Sequence, residues 1–278
     1  MTNPITASPS EKDPALTAGK PAPKTHGKQV PTFSAEVIRF LVGAVALALP
    51  VIVLVAARPY FPESISGSYY TRAHNLFVGI LFALGGALFV YKGRDRGQFW
   101  FAKVGALAPL LAALCPTTCL APLPDSICQA ANNLAETNAV LAGIHGGAGV
   151  VLFITGWFFC WWPFREAAQQ NAQDAGEAGE TAKRRITVYW ICGGVIIAFL
   201  LLTGFAKLTP HIAGWAWPVN FTYFTEWIML WAFGFAWLVA ARLIPGLSTA
   251  AERGRLLKDL VWDPFKSKAP ASPSSPLP

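Results

Sequence analysis

Residues 186–207 read ITVYWICGGVIIAFLLLTGFAK, twenty-one residues without a charge closed by one lysine. At about 1.5 Å per helical residue such a run covers roughly 30 Å, the hydrocarbon thickness of a bilayer. It therefore reads as a transmembrane helix. Working outward from it, five more apolar runs of similar length occupy about 38–57, 74–91, 99–115, 139–162 and 221–243. The composition agrees: 54% of the chain is hydrophobic and 13% charged, where soluble domains carry about 25% charged residues. Six such runs exceed what a single soluble core of 278 residues would bury. The expected fold class is all-α, a polytopic bundle of six transmembrane helices over 38–243.

The charges outside the runs orient them. Of the 22 lysines and arginines, 18 fall in the N-terminal tail and the segments on its side, and three (Arg58, Arg72 and Lys207) fall on the other. Basic residues accumulate on the cytoplasmic side of membrane proteins, so both termini are expected in the cytoplasm of a multi-pass protein of the cell inner membrane. This asymmetry accounts for the net charge of +7 without nucleic acid; the expected partners are membrane lipids. Lys103, inside the third run, is expected to snorkel to the inner surface. Asp95, in YKGRDRG, is expected to pair with a neighbouring arginine.

The flanks differ from the runs. Residues 1–37, polar and rich in proline and lysine, are expected to be a disordered cytoplasmic tail and not a cleaved signal. Residues 164–185 (FREAAQQNAQDAGEAGETAKRR) read as a flexible linker or a short solvated helix. Within 244–278, Thr249 and Glu252 are spaced as a capping box. Leu256, Leu257, Leu260 and Val261 follow on one face, opposite Arg253, Arg255, Lys258 and Asp259, which predicts a short interfacial helix on the inner membrane surface before a disordered Pro/Ser-rich end.

Ionisable groups inside lipid are costly, and those that persist are functional-site candidates. His74, His145 and Glu226 all lie in the first two turns of a run, and all three of those runs enter from the outer side. Just above them the loops carry Glu63, Ser64, Ser66, Tyr69, Tyr70, Asp125 and His211. The candidate site is an outward-facing polar pocket of His74, His145, Glu226, Ser64, Ser66 and Tyr70. Around His145 the chain reads GIHGGAG, and Gly143 and Gly147 have the small-xxx-small spacing that lets helices approach closely. In the second outer loop Cys119 and Cys128 are nine apart and suited to a disulfide, with Cys115 as competitor for Cys128. Cys160 and Cys192 read as packing residues.

Three chemistries fit the polar edge. The groups hydrogen-bond to one another or to the first outer loop and lock the helices; or they form a binding or transport site; or two histidines and a carboxylate hold a zinc ion for a hydrolase acting on a lipid or lipid-linked substrate. The chain has no Walker loop, dinucleotide fingerprint, HExxH or CxxCH motif that would name a cofactor.

The segments PESISGSYYTRAHNLFVG, YKGRDR, the run around His145 and FTYFTEWIMLWAFGFAWL together resemble a group of bacterial six-span membrane proteins without an established activity. More distantly the chain is similar to the DRAM-type family, which shares a serine-containing first outer loop and a histidine in the fourth span. The resemblance covers about 38–243 and implies a six-span fold and topology, but no catalytic residue. The paired HxxxH of seven-span ceramidase-type hydrolases is missing.

Overall fold

A computed structural model describes residues 32–119, 123–124, 128, 135–174, 176–213, 217–218, 220–261 and 265–266. Asp125, Trp215 and the side chain of His211 lie outside the described residues. The architecture is all-helical. The helices are α1 (Ala35–Ala56), α2 (His74–Val90), α3 (Arg96–Leu114), α4 (Ala135–Trp161), α5 (Pro163–Asn171), α6 (Glu177–Ala213), α7 (Phe221–Ala240) and α8 (Ala250–Val261). A short 3₁₀ helix, Ser66–Tyr70, precedes α2. Two-residue strands, Thr32–Phe33 and Phe265–Lys266, pair antiparallel beside the start of α1.

Five helices are long and apolar enough to cross a membrane: Ala35–Ala56, Arg96–Leu114, Ala139–Asn171, Glu177–Pro210 and Phe221–Ala240. The apolar α2 is shorter at 17 residues, about 26 Å at the helical rise. Large apolar side chains stay on the outside of these helices, Val55, Val140 and Leu201 among them. A soluble protein would bury them; a hydrocarbon solvent has no reason to.

The helices close into a ring in chain order. α1 packs on α2, α2 on α3, α3 on α4, α4 on α6, and α6 on α7, which returns to α1; α4 also touches α7. At the seam between first and last the two backbones approach closely. A Cβ on Gly43 would stand 2.7 Å from the Gly234 carbonyl oxygen, and one on Gly234 would stand 2.8 Å from that of Gly43. Both obstacles are backbone, so neither yields to a rotamer change. Near this seam Pro50 interrupts the α1 ladder. The Tyr223 hydroxyl donates to the Pro50 carbonyl at 2.9 Å, and the Trp231 indole donates to that of Leu47 at 3.2 Å. Toward the C-terminal end of α7, Trp237 is fully buried with Tyr91, Phe159, Phe164 and Phe233 about its ring.

Several expectations change. Of the two readings of 164–185 the short helix holds and the linker does not: Pro163 at N1 starts α5, and Glu177 then starts α6, which runs unbroken into the apolar run. α1 likewise begins before the tail boundary at 37, because Ser34 caps it by accepting from the Val37 N–H. Asp95 caps α3, accepting from the Gln98 backbone at 2.9 Å and side chain at 2.6 Å, and makes no ion pair among the described residues. The glycines around His145 do not mediate close helix packing. A Cβ at Gly143, Gly146, Gly147 or Gly149 would meet nothing within 4 Å; the close approaches belong to Gly43, Gly234, Gly105 against Thr155, and Gly156 against Phe233. Lys103 turns to the end of α2, where its ammonium donates to the carbonyls of Phe89 and Tyr91. It thereby satisfies orphan acceptors of that helix.

Candidate functional site

The segment 57–73 joins α1 to α2 and lies against the ends of α4 and α7. Its backbone is tied to α7 by the Tyr223 N–H, which donates to the Glu63 carbonyl at 2.9 Å. The Phe61 ring packs 4.8 Å from that of Tyr223, and Ile65 is buried. Serines make the turn locally. The Ser64 hydroxyl oxygen accepts from the Gly67 N–H at 2.9 Å, a side-chain mimic of a backbone turn, and the 3₁₀ helix starts two residues later. Thr71 ends it, donating to the Ser68 carbonyl and accepting from the Ala73 N–H.

His74, His145 and Glu226 all bind this one segment. The Glu226 carboxylate, in the second turn of α7, accepts from the Ile65 N–H at 2.7 Å. His145, buried in α4, bonds through Nε2 to the Ser66 hydroxyl at 2.7 Å and through Nδ1 to the Cys115 carbonyl at 2.8 Å. A carbonyl only accepts, so Nδ1 carries the proton and Ser66 donates to Nε2. His74, at the start of α2, bonds through Nδ1 to the Tyr69 carbonyl at 2.7 Å, with the Tyr69 ring edge-on at 4.3 Å. The three groups thus fasten residues 65, 66 and 69, and none hydrogen-bonds to another. Among the described residues no three His, Cys, Asp or Glu side chains converge as metal ligands, and both nitrogens of His145 are engaged with protein.

Two other elements brace the segment. The Tyr70 hydroxyl donates to the Thr117 carbonyl. Tyr60 and Tyr70 also pack on the Cys119–Cys128 disulfide, whose Cα atoms are 5.4 Å apart. Cys115 is free and buried; its backbone, not its thiol, takes part. Burial pushes the Tyr70 phenol up from its ordinary value, helped by neighbouring Tyr69.

Lys207, which closes the run 186–207, belongs to the same neighbourhood. Its ammonium acts electrostatically on Glu63, Glu226 and His145. Burial pushes the Glu63 carboxyl up, and Lys207 partly offsets this. Ser68 is fully buried in the 3₁₀ helix, and its hydroxyl has no hydrogen-bond partner among the described residues. The sequence signal for Lys207 was its place at the end of an apolar run on the same side as these groups; Ser68 gave none beyond lying in a hydroxyl-rich loop.

No protein-family model matches this chain, and no curated protein or solved structure does either.

Proposed function

We propose that the chain is a six-span protein of the cell inner membrane, with α2 as the short span and both termini in the cytoplasm. Its working surface is then the outward-facing polar end. There the segment 57–73 is a fixed cap on the bundle, and the groups around it (Glu63, Ser66, His145, Lys207 and Glu226) form a binding site for the polar part of a membrane lipid or small solute. One observation carries this reading: two side chains from different spans, Glu226 and His145, hold adjacent residues of the cap, Ile65 and Ser66. The Ile65 N–H is thereby committed to a Glu226 carboxyl oxygen, and Lys207 and Glu63 remain as the titratable groups of the rim. Binding is tested by native mass spectrometry of the full-length protein released from nanodiscs. A small molecule or lipid retained by wild type and lost in Lys207→Gln supports it; retention unchanged in Lys207→Gln and in Glu63→Gln refutes it.

A second reading is favoured by the Ser66–His145 pair. A serine hydroxyl donating to an imidazole whose other nitrogen is oriented by a carbonyl is the arrangement of an activated nucleophile. This would make the outer end a hydrolase of a lipid or lipid-linked ester, in place of the zinc-assisted version. A fluorophosphonate probe separates the two: a stoichiometric adduct on Ser66, absent in His145→Ala, supports the hydrolase, and unreacted Ser66 rules it out.

A further inference from the structure

Three guanidinium groups line one cleft at the opposite, basic end of the bundle: Arg39 from α1, Arg185 from α6 and Arg242 from the turn after α7. Tyr189 and Asn171 add polar lining. The cleft has a volume of about 30 Å³, enough for one or two oxygens of a larger anion whose remainder lies at the open mouth. It is reached past Arg242, whose side chain keeps 30% of its surface exposed while that of Arg185 keeps 3%.

Positive charge is in excess here. Glu252 takes two of the arginines, Arg185 at 3.2 Å and Arg242 at 2.8 Å. Arg39 makes no ion pair among the described residues. It donates to the Ala240 carbonyl at 3.3 Å and the Tyr91 hydroxyl at 3.2 Å, and its Nε is buried without a hydrogen-bond partner. Glu36 is felt by Arg39 and Arg242 but contacts neither as an ion pair. A buried charged donor without an acceptor is unfavourable, and three cations around one carboxylate repel. Burial and the like charges of Arg185 and Arg39 push the Arg242 guanidinium down, and Glu252 only partly offsets them.

The backbone points the same way. α7 ends with Arg242 N–H on the Val239 carbonyl and Leu243 N–H on that of Leu238, a Schellman motif. The left-handed position of that motif favours glycine, yet Arg242 occupies it at φ 62°. Strain of this kind persists where the side chain has a task.

We infer that this cleft binds a phosphate-type anion between the three arginines that line it, with Arg39 free of any ion pair among the described residues and Arg185 and Arg242 held in place by Glu252. Arginine suits that ligand, because its planar fork matches phosphate oxygens. Basic pockets between spans on the cytoplasmic side take phospholipid head groups, and free phosphate offers the same oxygens.

The test is thermal unfolding of the full-length protein in neutral detergent with inorganic phosphate, against sodium chloride of equal ionic strength. A parallel series uses phosphatidylcholine nanodiscs with and without phosphatidic acid. A saturable rise in Tm with inorganic phosphate identifies the free anion, and a rise with phosphatidic acid alone identifies a lipid head group. In either case Arg39→Gln weakens the response at least tenfold in concentration, and Lys183→Gln, an exposed control, leaves it unchanged. Should Arg39→Gln fail to fold, the wild-type titrations decide. No saturable rise with either probe overturns the inference, and so does an undiminished response in folded Arg39→Gln.

Discussion

The two ends of the bundle fasten their non-spanning segments by different means. At one end Glu226, His145 and His74 hold the segment 57–73 through hydrogen bonds to backbone and hydroxyl groups, with no ion pair among them. At the basic end Glu252 holds α8 through ion pairs to Arg185 and Arg242. Leu256 is buried beside Val37 and Ala241 beneath it. The first arrangement distributes its energy over many modest contacts and fixes a conformation. The second concentrates it in one carboxylate, so that a single change releases the whole element.

The largest effect should therefore come from Glu252→Ala. Removing the one carboxylate from the buried Arg185 and the half-buried Arg242 is expected to cost about 3 kcal/mol and to free α8, seen as a lower Tm and rapid amide exchange over Ala250–Val261 with 57–73 unchanged. Acid should do the same more gently. Burial pushes the Glu252 carboxyl up, but the Thr249 N–H and the charges of Arg185 and Arg242 together carry it below its ordinary value. Its contribution is thus complete above the ordinary carboxylate range and is lost as pH falls through the lower folded value. Exchange of α8 should rise on acidification in wild type and show no such step in Glu252→Gln.

At the end that carries 57–73, Glu226→Ala leaves the Ile65 N–H without its acceptor and should cost about 2 kcal/mol, loosening 57–73 and sparing α8. Ser66→Ala removes one hydrogen bond of a buried histidine and should cost about 1 kcal/mol. A double-mutant cycle with His145→Ala should then show the two effects to be coupled. Gly143→Ala should be the smallest, within about 0.5 kcal/mol, because its Cβ would meet open space. A large loss there would restore the helix–helix role that its spacing suggested.

The sequence conveyed depth well and rotation poorly. Apolar runs located the helices because lipid demands length and apolarity, and the Thr249–Glu252 spacing marked the N-terminus of α8, where both reciprocal bonds form. Depth also put His74, His145 and Glu226 at one edge. Which way each points depends on packing that no local pattern carries. His145 meets a serine 79 positions earlier, and Glu226 meets a backbone group 161 positions away. For the same reason GIHGGAG resembled a packing motif, while isolated Gly43 and Gly234 form the actual seam. Arg39, Arg185 and Arg242 counted only toward topology until the fold brought them to one cleft.

Two helices, α4 and α7, clamp the segment 57–73 at the adjacent residues Ile65 and Ser66. Hydrogen exchange of the peptide covering Ile65 and Ser66, in full-length protein in nanodiscs, tests it most directly. Strong protection in wild type, lost in both Glu226→Ala and His145→Ala while Ala250–Val261 stays protected, is the predicted result. Equal exchange of that peptide in all three proteins would contradict the clamp.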